Sequence, residues 1–216
     1  MKNIIFIAPP AAGKGTMSEI LVNKYGYKHV STGDILRSMA SKEDDFGKEL
    51  SALLKKGGLI SDDIVNEALK RRLSMNDLNN GFILDGFPRN IDQAREYDKI
   101  LSDINKDLGV VIYLDTPRDI LEKRIVGRRL CKECGATYNV LTGVKTPIVN
   151  NICDVCGGEL YQRNDDNEES FNVRYNTFIE KTYPLLDYYE EKKVLYRVKS
   201  VDVENTIQEI EAIIND

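Results

Sequence analysis

The stretch from Ile4 to Thr16, IIFIAPPAAGKGT, joins an apolar run to a turn of small residues that ends in Gly-Lys-Gly-Thr. Its order is close to that of the phosphate-binding loop Gly-x4-Gly-Lys-[Ser/Thr]. In such a loop, backbone N–H groups and the N-terminus of the following helix surround phosphate oxygens. The predicted phosphate ligands are the backbone amides of six consecutive residues, helped by a lysine ammonium and a threonine hydroxyl: Ala11, Ala12, Gly13, Lys14, Gly15 and Thr16.

Two alanines depart from the usual pattern of this loop. Ala8 and Ala11 stand where a phosphate-binding loop normally carries glycine. An alanine costs about 1 kcal/mol wherever the backbone needs a positive φ angle. A strand–helix turn that binds no phosphate is therefore the alternative interpretation of this motif when it is taken alone.

A second candidate site follows another apolar run, in the stretch LDGFPR (Leu84–Arg89). The stretch puts an acid at the carboxyl end of a predicted buried strand, where open α/β sheets bind ligands. Asp85 is suited to hold Mg²⁺ through water, and Arg89 to bind a phosphate. The alternative is a strand that ends in a turn with a surface salt bridge.

Four cysteines form the pattern C-x2-C-x18-C-x2-C, which lies within the spacing of four-thiolate zinc sites. Such a site is structural, because four protein thiolates leave no position open for water or substrate. Glycines follow both pairs and permit tight turns, and a metal would hold together a segment with little core of its own. A disulfide pair, idle thiols, or iron or cobalt in place of zinc are the alternatives for Cys131, Cys134, Cys153 and Cys156.

The composition limits the classes of function. The length of 216 residues, with 42% hydrophobic and 30% charged residues, fits one compact domain, and the net charge of -5 argues against nucleic-acid binding. No apolar run reaches the length of a membrane helix, and the N-terminus does not resemble a signal peptide, so we expect a cytoplasmic protein. The single histidine, His29, makes histidine base chemistry an unfavourable hypothesis and suggests packing or hydrogen bonding there.

Short apolar strands alternate with amphipathic helices, which is typical of a parallel α/β sheet. Strands are predicted at Asn3–Ala8, Gly81–Arg89, Gly109–Asp115 and 193–201, and helices after the first loop and at the C-terminus. Two segments interrupt the alternation: residues 31–61 are helical without a strand, and residues 128–165 are rich in Gly, Asn, Asp and Cys. Both are predicted to be insertions into one core formed by 1–30, 62–127 and 166–216.

The phosphate loop, STGDILR, LDGFPRN and RIVGRR occur in the order and approximate spacing of adenylate kinases, over essentially all 216 residues. This resemblance implies an α/β P-loop kinase core with a parallel five-stranded sheet. It implies that 31–61 binds AMP and that 128–165 is a zinc-bearing lid over ATP. The implied enzyme is a monomer that converts ATP and AMP into two ADP with Mg²⁺, closes both lobes, and serves adenine nucleotide homeostasis.

The resemblance also implies individual roles. The implied AMP site consists of Thr32, Arg37, Gly58, Leu59, Ile60, Gly86, Phe87, Pro88, Arg89 and Gln93, with Arg163 and Arg174 on the phosphates. The implied ATP contacts beyond the loop are Arg124, by stacking, Arg128, Thr137 and Tyr138. The implied catalytic set is Lys14, Asp85, Arg89, Arg128, Arg163 and Arg174, with Asp165 and Asp166 fixing the last two arginines when the lid closes.

The preference for AMP is inferred from two residues and the lid. Related kinases for pyrimidine monophosphates usually have alanine at the position of Thr32 and a much shorter lid, whereas Gln93 suits the edge of adenine. Three alternatives stay open: a kinase for another monophosphate, a non-catalytic nucleotide-binding relative, and a zinc-ribbon binding protein on an α/β scaffold. Acidic residues around the cysteines argue against nucleic acid as a partner of such a ribbon.

Overall fold

The computed structural model describes residues 1–42, 44–55 and 61–216 of the chain. The described strands, in chain order, are β1 (Ile4–Ile7), β2 (Lys28–Ser31), β3 (Phe82–Asp85), β4 (Val110–Asp115), β5 (Arg128–Cys131), β6 (Thr137–Asn139), β7 (Leu160–Tyr161) and β8 (Leu195–Lys199). The described α-helices are α1 (Lys14–Tyr25), α2 (Thr32–Ala40), α3 (Asp45–Lys55), α4 (Asp62–Leu73), α5 (Ile91–Asp103), α6 (Arg118–Gly127), α7 (Glu168–Thr177), α8 (Leu185–Glu191) and α9 (Val203–Asn215).

Five strands form the main sheet, in the order β2-β3-β1-β4-β8, and every neighbouring pair is parallel. The predicted α/β class with a parallel five-stranded sheet is therefore confirmed. The order places β1 in the centre, so the loop that follows it opens at the middle of the sheet's carboxyl edge. Ligands bind at that edge in open α/β sheets.

Helices cover both faces of the sheet, which explains why its strands are apolar runs without alternation. Along β1, Ile5 and Ile7 pack into one buried cluster with residues of α4, α5 and α8. Ile4 and Phe6 pack into the cluster on the opposite face with residues of α1, α6 and α9. The central strand is thus held from both sides, and the loop after it starts from a rigid position.

The ends of two helices follow from local sequence signals. Helix α1 ends at Gly26, which has a φ of 74° and donates its N–H to the Val22 carbonyl. Helix α9 begins after Asp202, whose carboxylate accepts the Asn205 N–H at 2.8 Å. No helix in the described ranges has the length and apolar character needed to cross a membrane.

The two interrupting segments differ from each other in structure. Residues 32–40 and 45–55 are helical, and no strand lies within the described part of 32–61. The cysteine-rich segment contains a small antiparallel sheet in the order β6-β5-β7, which the sequence pattern did not predict. Its buried core is small and consists of Cys131, Tyr138, Cys153 and Leu160. The boundaries of the three units stay a prediction.

Candidate active site and thiol cluster

The loop after β1 is a tight turn closed by the Ala12 N–H, which donates to the Pro9 carbonyl at 3.3 Å. Pro10 occupies the second position of the turn, where its fixed φ angle is favourable. Ala11 occupies the third position with a φ of 66°, a left-handed value that normally selects glycine. Ala8 has a negative φ and needs no glycine. One of the six amides predicted to face phosphate, that of Ala12, is therefore bonded within the loop.

Lys14 is the first residue of α1, and its ammonium forms an ion pair with Asp85 at the end of β3. The distance from Lys14 Nζ to Asp85 Oδ1 is 2.5 Å, and His29 Nε2 lies 3.2 Å from Asp85 Oδ2. Burial raises the pKa of Asp85, but the hydrogen bond from His29 and the charge of Lys14 outweigh it and hold this pKa well below its usual range. Asp85 is therefore an ionised carboxylate beside the phosphate loop, and His29 has a hydrogen-bonding role.

A cavity of about 790 Å³ opens in front of the phosphate loop. Its lining joins residues 8–16, the segment after β3 and residues of the small sheet. It is strongly cationic, because Lys14 and five arginines contribute to the lining: Arg89, Arg124, Arg128, Arg163 and Arg174. Such a lining suits a ligand with several phosphate groups.

Two aspartates between β7 and α7 hold arginines of this set. Asp166 is buried and accepts two hydrogen bonds from the Arg128 guanidinium, of which the Nε bond is 2.8 Å long. Asp165 pairs with Arg174 at 3.2 Å. In this structure the partner of Asp166 is Arg128, and the predicted fixing of Arg163 and Arg174 by the two aspartates on lid closure stays a prediction. Arg163 lines the cavity, and its carbonyl accepts the Asp166 N–H.

Arg124 lies on α6 and binds main-chain carbonyls from two parts of the chain. It donates to the carbonyls of Ser200 at 3.0 Å, Val201 at 2.7 Å and Ala12 at 3.4 Å. Burial lowers the pKa of Arg124. The guanidinium edge is therefore occupied, and it connects the phosphate loop to the segment after β8.

The segment Gly86–Arg89 follows Asp85 and lines the cavity. Arg89 is held locally, because its Nε donates to the Gly86 carbonyl at 2.8 Å. Gln93 accepts the Arg89 N–H at 2.8 Å and donates its own amide to Asp62 at 2.8 Å. The predicted adenine-reading side chain thus connects α4 to the arginine segment in this structure.

Three residues of the predicted AMP site lie outside the lining of the described cavity. Thr32 is close to it, since a β-carbon at Gly86 would approach the Thr32 hydroxyl to 3.2 Å. Arg37 has a side chain that is 68% exposed and pairs with Asp34 at 2.5 Å. Gln93 is the third. The predicted contacts of Gly58, Leu59 and Ile60 fall outside the described residues.

The four cysteines form a compact cluster between the strands of the small sheet. All four sulfur atoms lie within 4.8 Å of one another, with 3.4 Å between Cys131 and Cys156 and 3.6 Å between Cys134 and Cys153. A tetrahedral ion with Zn–S bonds of about 2.3 Å requires sulfur atoms about 3.8 Å apart. All four are free thiols, so the disulfide alternative is not observed, and the donor set fits a metal ion.

The two cysteine pairs have the same turn geometry. The N–H of Gly135 donates to the Cys131 carbonyl at 3.1 Å, and the N–H of Gly157 donates to the Cys153 carbonyl at 2.9 Å. These glycines have φ angles of 73° and 74°. The glycine after each pair is therefore required by the turn that brings its two thiols together.

Tyr138 connects the thiol cluster to the cavity. It contributes to the cavity lining, but its ring is buried and its hydroxyl lies 3.4 Å from Cys153 Sγ. The same hydroxyl accepts the Asp154 N–H at 2.8 Å. The hydrogen bond from Tyr138 lowers the pKa of Cys153 to about 6, which favours the thiolate that a metal needs.

Comparison with known proteins identifies the family. The family model described as adenylate kinase matches residues 6–194. The chain belongs to the adenylate kinase family. It is 44% identical to the adenylate kinase of Thermosipho africanus over 98% of this chain and 99% of that one. The adenylate kinases of Desulforamulus reducens and Archaeoglobus fulgidus are each 44% identical to it as well, over 99% and 98% of this chain and 97% of theirs.

Several residues around this adenylate kinase site were missed by the sequence patterns. Ser200 follows β8 and donates its hydroxyl to the Ala12 carbonyl, and Thr116 follows β4 and donates its hydroxyl to the Ser200 carbonyl. Lys145 and Thr177 line the cavity. Thr116 directly follows a predicted strand, which is a usable signal for a site residue. Ser200 carries no such signal, because its partner Ala12 is 188 positions away.

Proposed function

We propose that this chain transfers the terminal phosphoryl group of ATP to AMP and releases two molecules of ADP, in the service of adenine nucleotide homeostasis. The observation that carries the proposal is the convergence of the phosphate loop, Lys14 and five arginines on one cavity. Phosphoryl transfer needs alignment of donor and acceptor and positive charge around the moving group, with little covalent chemistry. A lining of this kind supplies both, and the family membership of the chain agrees with it.

ATP would bind with its phosphates on the loop after β1. The free amides of the loop, the helix α1 N-terminus and Lys14 would contact the phosphates. Arg124 is held edge-on by three carbonyls, which leaves its flat face available to stack on the adenine base. Arg128, Thr137 and Tyr138 would complete this half of the site.

AMP would bind on the side of β3, next to Gly86–Arg89. Arg89 and Arg174 line the cavity and would supply positive charge to AMP, and Arg163 would reach the phosphates between the two nucleotides. Thr32 and Gln93 support adenine as the base. Gln93 would exchange one of its present hydrogen bonds for the edge of adenine, and Arg37 would leave Asp34 for the AMP phosphate.

Magnesium fits the carboxylate at the end of β3. Asp85 is ionised and lies beside the residue that contacts the ATP phosphates, so it would hold the ion through water. When bound, Mg²⁺ neutralises charge on the transferring phosphates. Lys14 is paired with Asp85 here, and arriving phosphates would compete for the same ammonium.

Zinc is the metal proposed for the four thiolates. Its role would be structural, since the cluster leaves no open coordination position and the small sheet has a core of only a few residues. The small sheet would act as a lid over ATP, and α2–α3 as a second mobile lobe over AMP. Closure of both would exclude the water that otherwise competes with AMP for the phosphoryl group. We propose a cytoplasmic monomer without a nucleic-acid partner.

The test is ADP formation from ATP, Mg²⁺ and each of AMP, CMP, UMP and GMP in turn. We expect turnover with AMP and at least about a hundredfold less with the others. Turnover with another monophosphate would overturn the use of Thr32 and Gln93. Absence of transfer by folded, metal-loaded protein would favour a non-catalytic nucleotide-binding relative.

Two lysine variants show whether the transfer uses the proposed site. Lys14→Ala is expected to lower kcat about a hundredfold or more, because the ammonium stabilises charge on the moving phosphoryl group. Lys99→Ala removes an exposed lysine that pairs with Glu96 on α5 and should leave turnover unchanged. Near-normal activity of Lys14→Ala would contradict the assigned role.

A further inference from the structure

The carbonyl of Ala12 belongs to a buried residue of the phosphate loop. Ala12 is 1% exposed, so its carbonyl cannot bond to bulk water and needs a protein donor. That donor is the Ser200 hydroxyl, at 2.7 Å, in a buried hydrogen bond. The Arg124 guanidinium adds a longer contact of 3.4 Å to the same oxygen.

Ser200 is itself fixed at the carboxyl edge of the sheet. Its N–H donates to the Asp115 carbonyl at 2.7 Å, and its own carbonyl accepts from Thr116 Oγ1 at 3.0 Å and from Arg124 at 3.0 Å. The residue is 3% exposed. All its polar groups are thus bonded, and the end of β4 together with Arg124 of α6 supplies the partners that hold the residue in position.

The bond between Ser200 and Ala12 lies next to the strained residue of the loop. Ala11 has a φ of 66°, which costs an alanine about 1 kcal/mol relative to an ordinary conformation. A loop with such a residue can relax by rotating the peptide that follows it. That peptide joins Ala11 to Ala12, and the Ala12 carbonyl begins the next peptide. Holding this carbonyl fixes Ala12 and so opposes rotation of the peptide before it.

We propose that Ser200 is a positioning residue for the phosphate loop. Its hydroxyl holds the Ala12 carbonyl and so keeps Ala11 in the left-handed conformation in which the loop receives ATP. Ser200 acts through the loop, because its single hydroxyl proton is already donated to Ala12. This inference rests on the proposed use of the loop for ATP and adds a residue that compensates for the missing glycine.

The primary test compares Ser200→Ala with the unaltered protein, varying ATP at saturating AMP and AMP at saturating ATP. We expect the KM for ATP to rise about tenfold and the KM for AMP to change less than about twofold. The tenfold figure corresponds to about 1.4 kcal/mol, the upper range for one lost hydrogen bond to a buried acceptor. Ser74→Ala is the control, since it removes a hydroxyl that donates to a main-chain carbonyl at the end of α4.

The second variant pair tests the connection to Ala11. Glycine adopts the left-handed conformation without cost, so Ala11→Gly should reduce the dependence on Ser200. In that background we expect Ser200→Ala to raise the KM for ATP about threefold or less. An undiminished tenfold rise of this KM in the Ala11→Gly background would overturn the proposal that Ser200 acts by holding Ala11. In the primary test, equal changes of the KM for ATP and for AMP, or no change of the KM for ATP, would overturn it as well.

Two further measurements test the inference if turnover cannot be measured or if Ser200→Ala does not fold. Calorimetric binding of ATP to the unaltered protein and to Ser200→Ala tests the inference without turnover, so loss of the proposed reaction and loss of this inference are distinguished. If Ser200→Ala does not fold, Thr116→Val removes one bond to the Ser200 carbonyl and should weaken ATP binding about threefold. Unchanged ATP binding in that variant would overturn the proposal.

Discussion

At the scale of single residues, the alanines of the phosphate loop are not equivalent. Ala11 requires a left-handed backbone and Ala8 does not. Pro10 precedes Ala11 and favours the type of turn in which the next residue is left-handed. Part of the cost of alanine at position 11 is therefore already offset. A glycine at position 11 removes strain in the folded state but adds freedom to the unfolded chain, and each effect is worth about 1 kcal/mol or less.

We therefore predict that Ala11→Gly and Ala8→Gly each change kcat by less than about tenfold. Ala11→Gly should have the larger effect on the KM for ATP, because only position 11 has the left-handed backbone that glycine adopts without cost. Steady-state kinetics of both variants against the unaltered protein measure this. A gain of about a hundredfold in either would mean that the loop is far more impaired by alanine than its geometry indicates.

The Lys14–Asp85–His29 group makes stability depend on pH in a defined direction. The folded pKa of Asp85 is depressed, so the stability it contributes is fully present above the ordinary aspartate pKa of about 3.9 and is lost as the pH falls toward the folded value. We predict that Asp85→Asn lowers the free energy of unfolding by about 2 kcal/mol at pH 7. At pH 3 the difference from the unaltered protein should be about 1 kcal/mol smaller.

Urea unfolding of both proteins from pH 7 to pH 3 measures that difference. Lys14→Ala is the matched background, because it removes the ammonium that pairs with Asp85. In the Lys14→Ala background, the effect of Asp85→Asn on the free energy of unfolding should depend less on pH. A difference that stays constant with pH would show that Asp85 acts on stability by packing and not by its charge.

At the scale of elements, the small sheet has little core apart from its thiol cluster. Strands β5, β6 and β7 contain two to four residues each, and their shared core is limited to two cysteines, Tyr138 and Leu160. The Tyr138 hydroxyl lies 3.4 Å from Cys153 Sγ and accepts the Asp154 N–H, so it connects β6 to the second cysteine pair. The main sheet, in contrast, is packed on both faces and makes no use of the cysteines.

We predict that removing the metal unfolds the small sheet and leaves the main sheet folded. In Cys153→Ser, amide hydrogens of β5–β7 should exchange at least about a hundredfold faster, while those of β1 and β4 change little. Hydrogen exchange with mass spectrometry resolves the two regions. Val155→Ser is the control, since it alters an exposed residue between Cys153 and Cys156. Protection of β5–β7 retained in metal-free protein would contradict a structural metal.

At the scale of the whole molecule, four of the five main strands, the helix ends and the cysteine pairs follow from the sequence because each depends on neighbouring residues, whereas β2 was not predicted. The apolar runs, Gly26 and the C-x2-C pairs are such signals. The small sheet escaped prediction because strands of two to four residues are too short to show a period. The Asp166–Arg128 pair and the Ser200–Ala12 bond escaped it because each joins positions far apart, 38 and 188 residues in sequence.

Two arginine contacts bear on the closure proposed above. Arg128 is held by buried Asp166 next to the start of the small sheet, while Arg37 on α2 is exposed and pairs with Asp34, three residues before it. In the proposed binding mode the ATP side is already organised, whereas Arg37 would have to move toward the AMP phosphate. Binding of both substrates should order α2–α3 more than binding of ATP alone.

We predict this difference for a bisubstrate compound that links two adenosines through a chain of phosphates. It should slow amide exchange in both the small sheet and α2–α3, while an unreactive ATP analogue slows it mainly in the small sheet. In Lys99→Ala, which lies away from both proposed nucleotide sites, the compounds should slow exchange as they do in the unaltered protein. In Arg37→Ala, the bisubstrate compound should still protect the small sheet but no longer α2–α3. If the ATP analogue alone protected α2–α3 as fully as the bisubstrate compound, ATP binding alone would order both segments, and Arg37 would have no part in the second step.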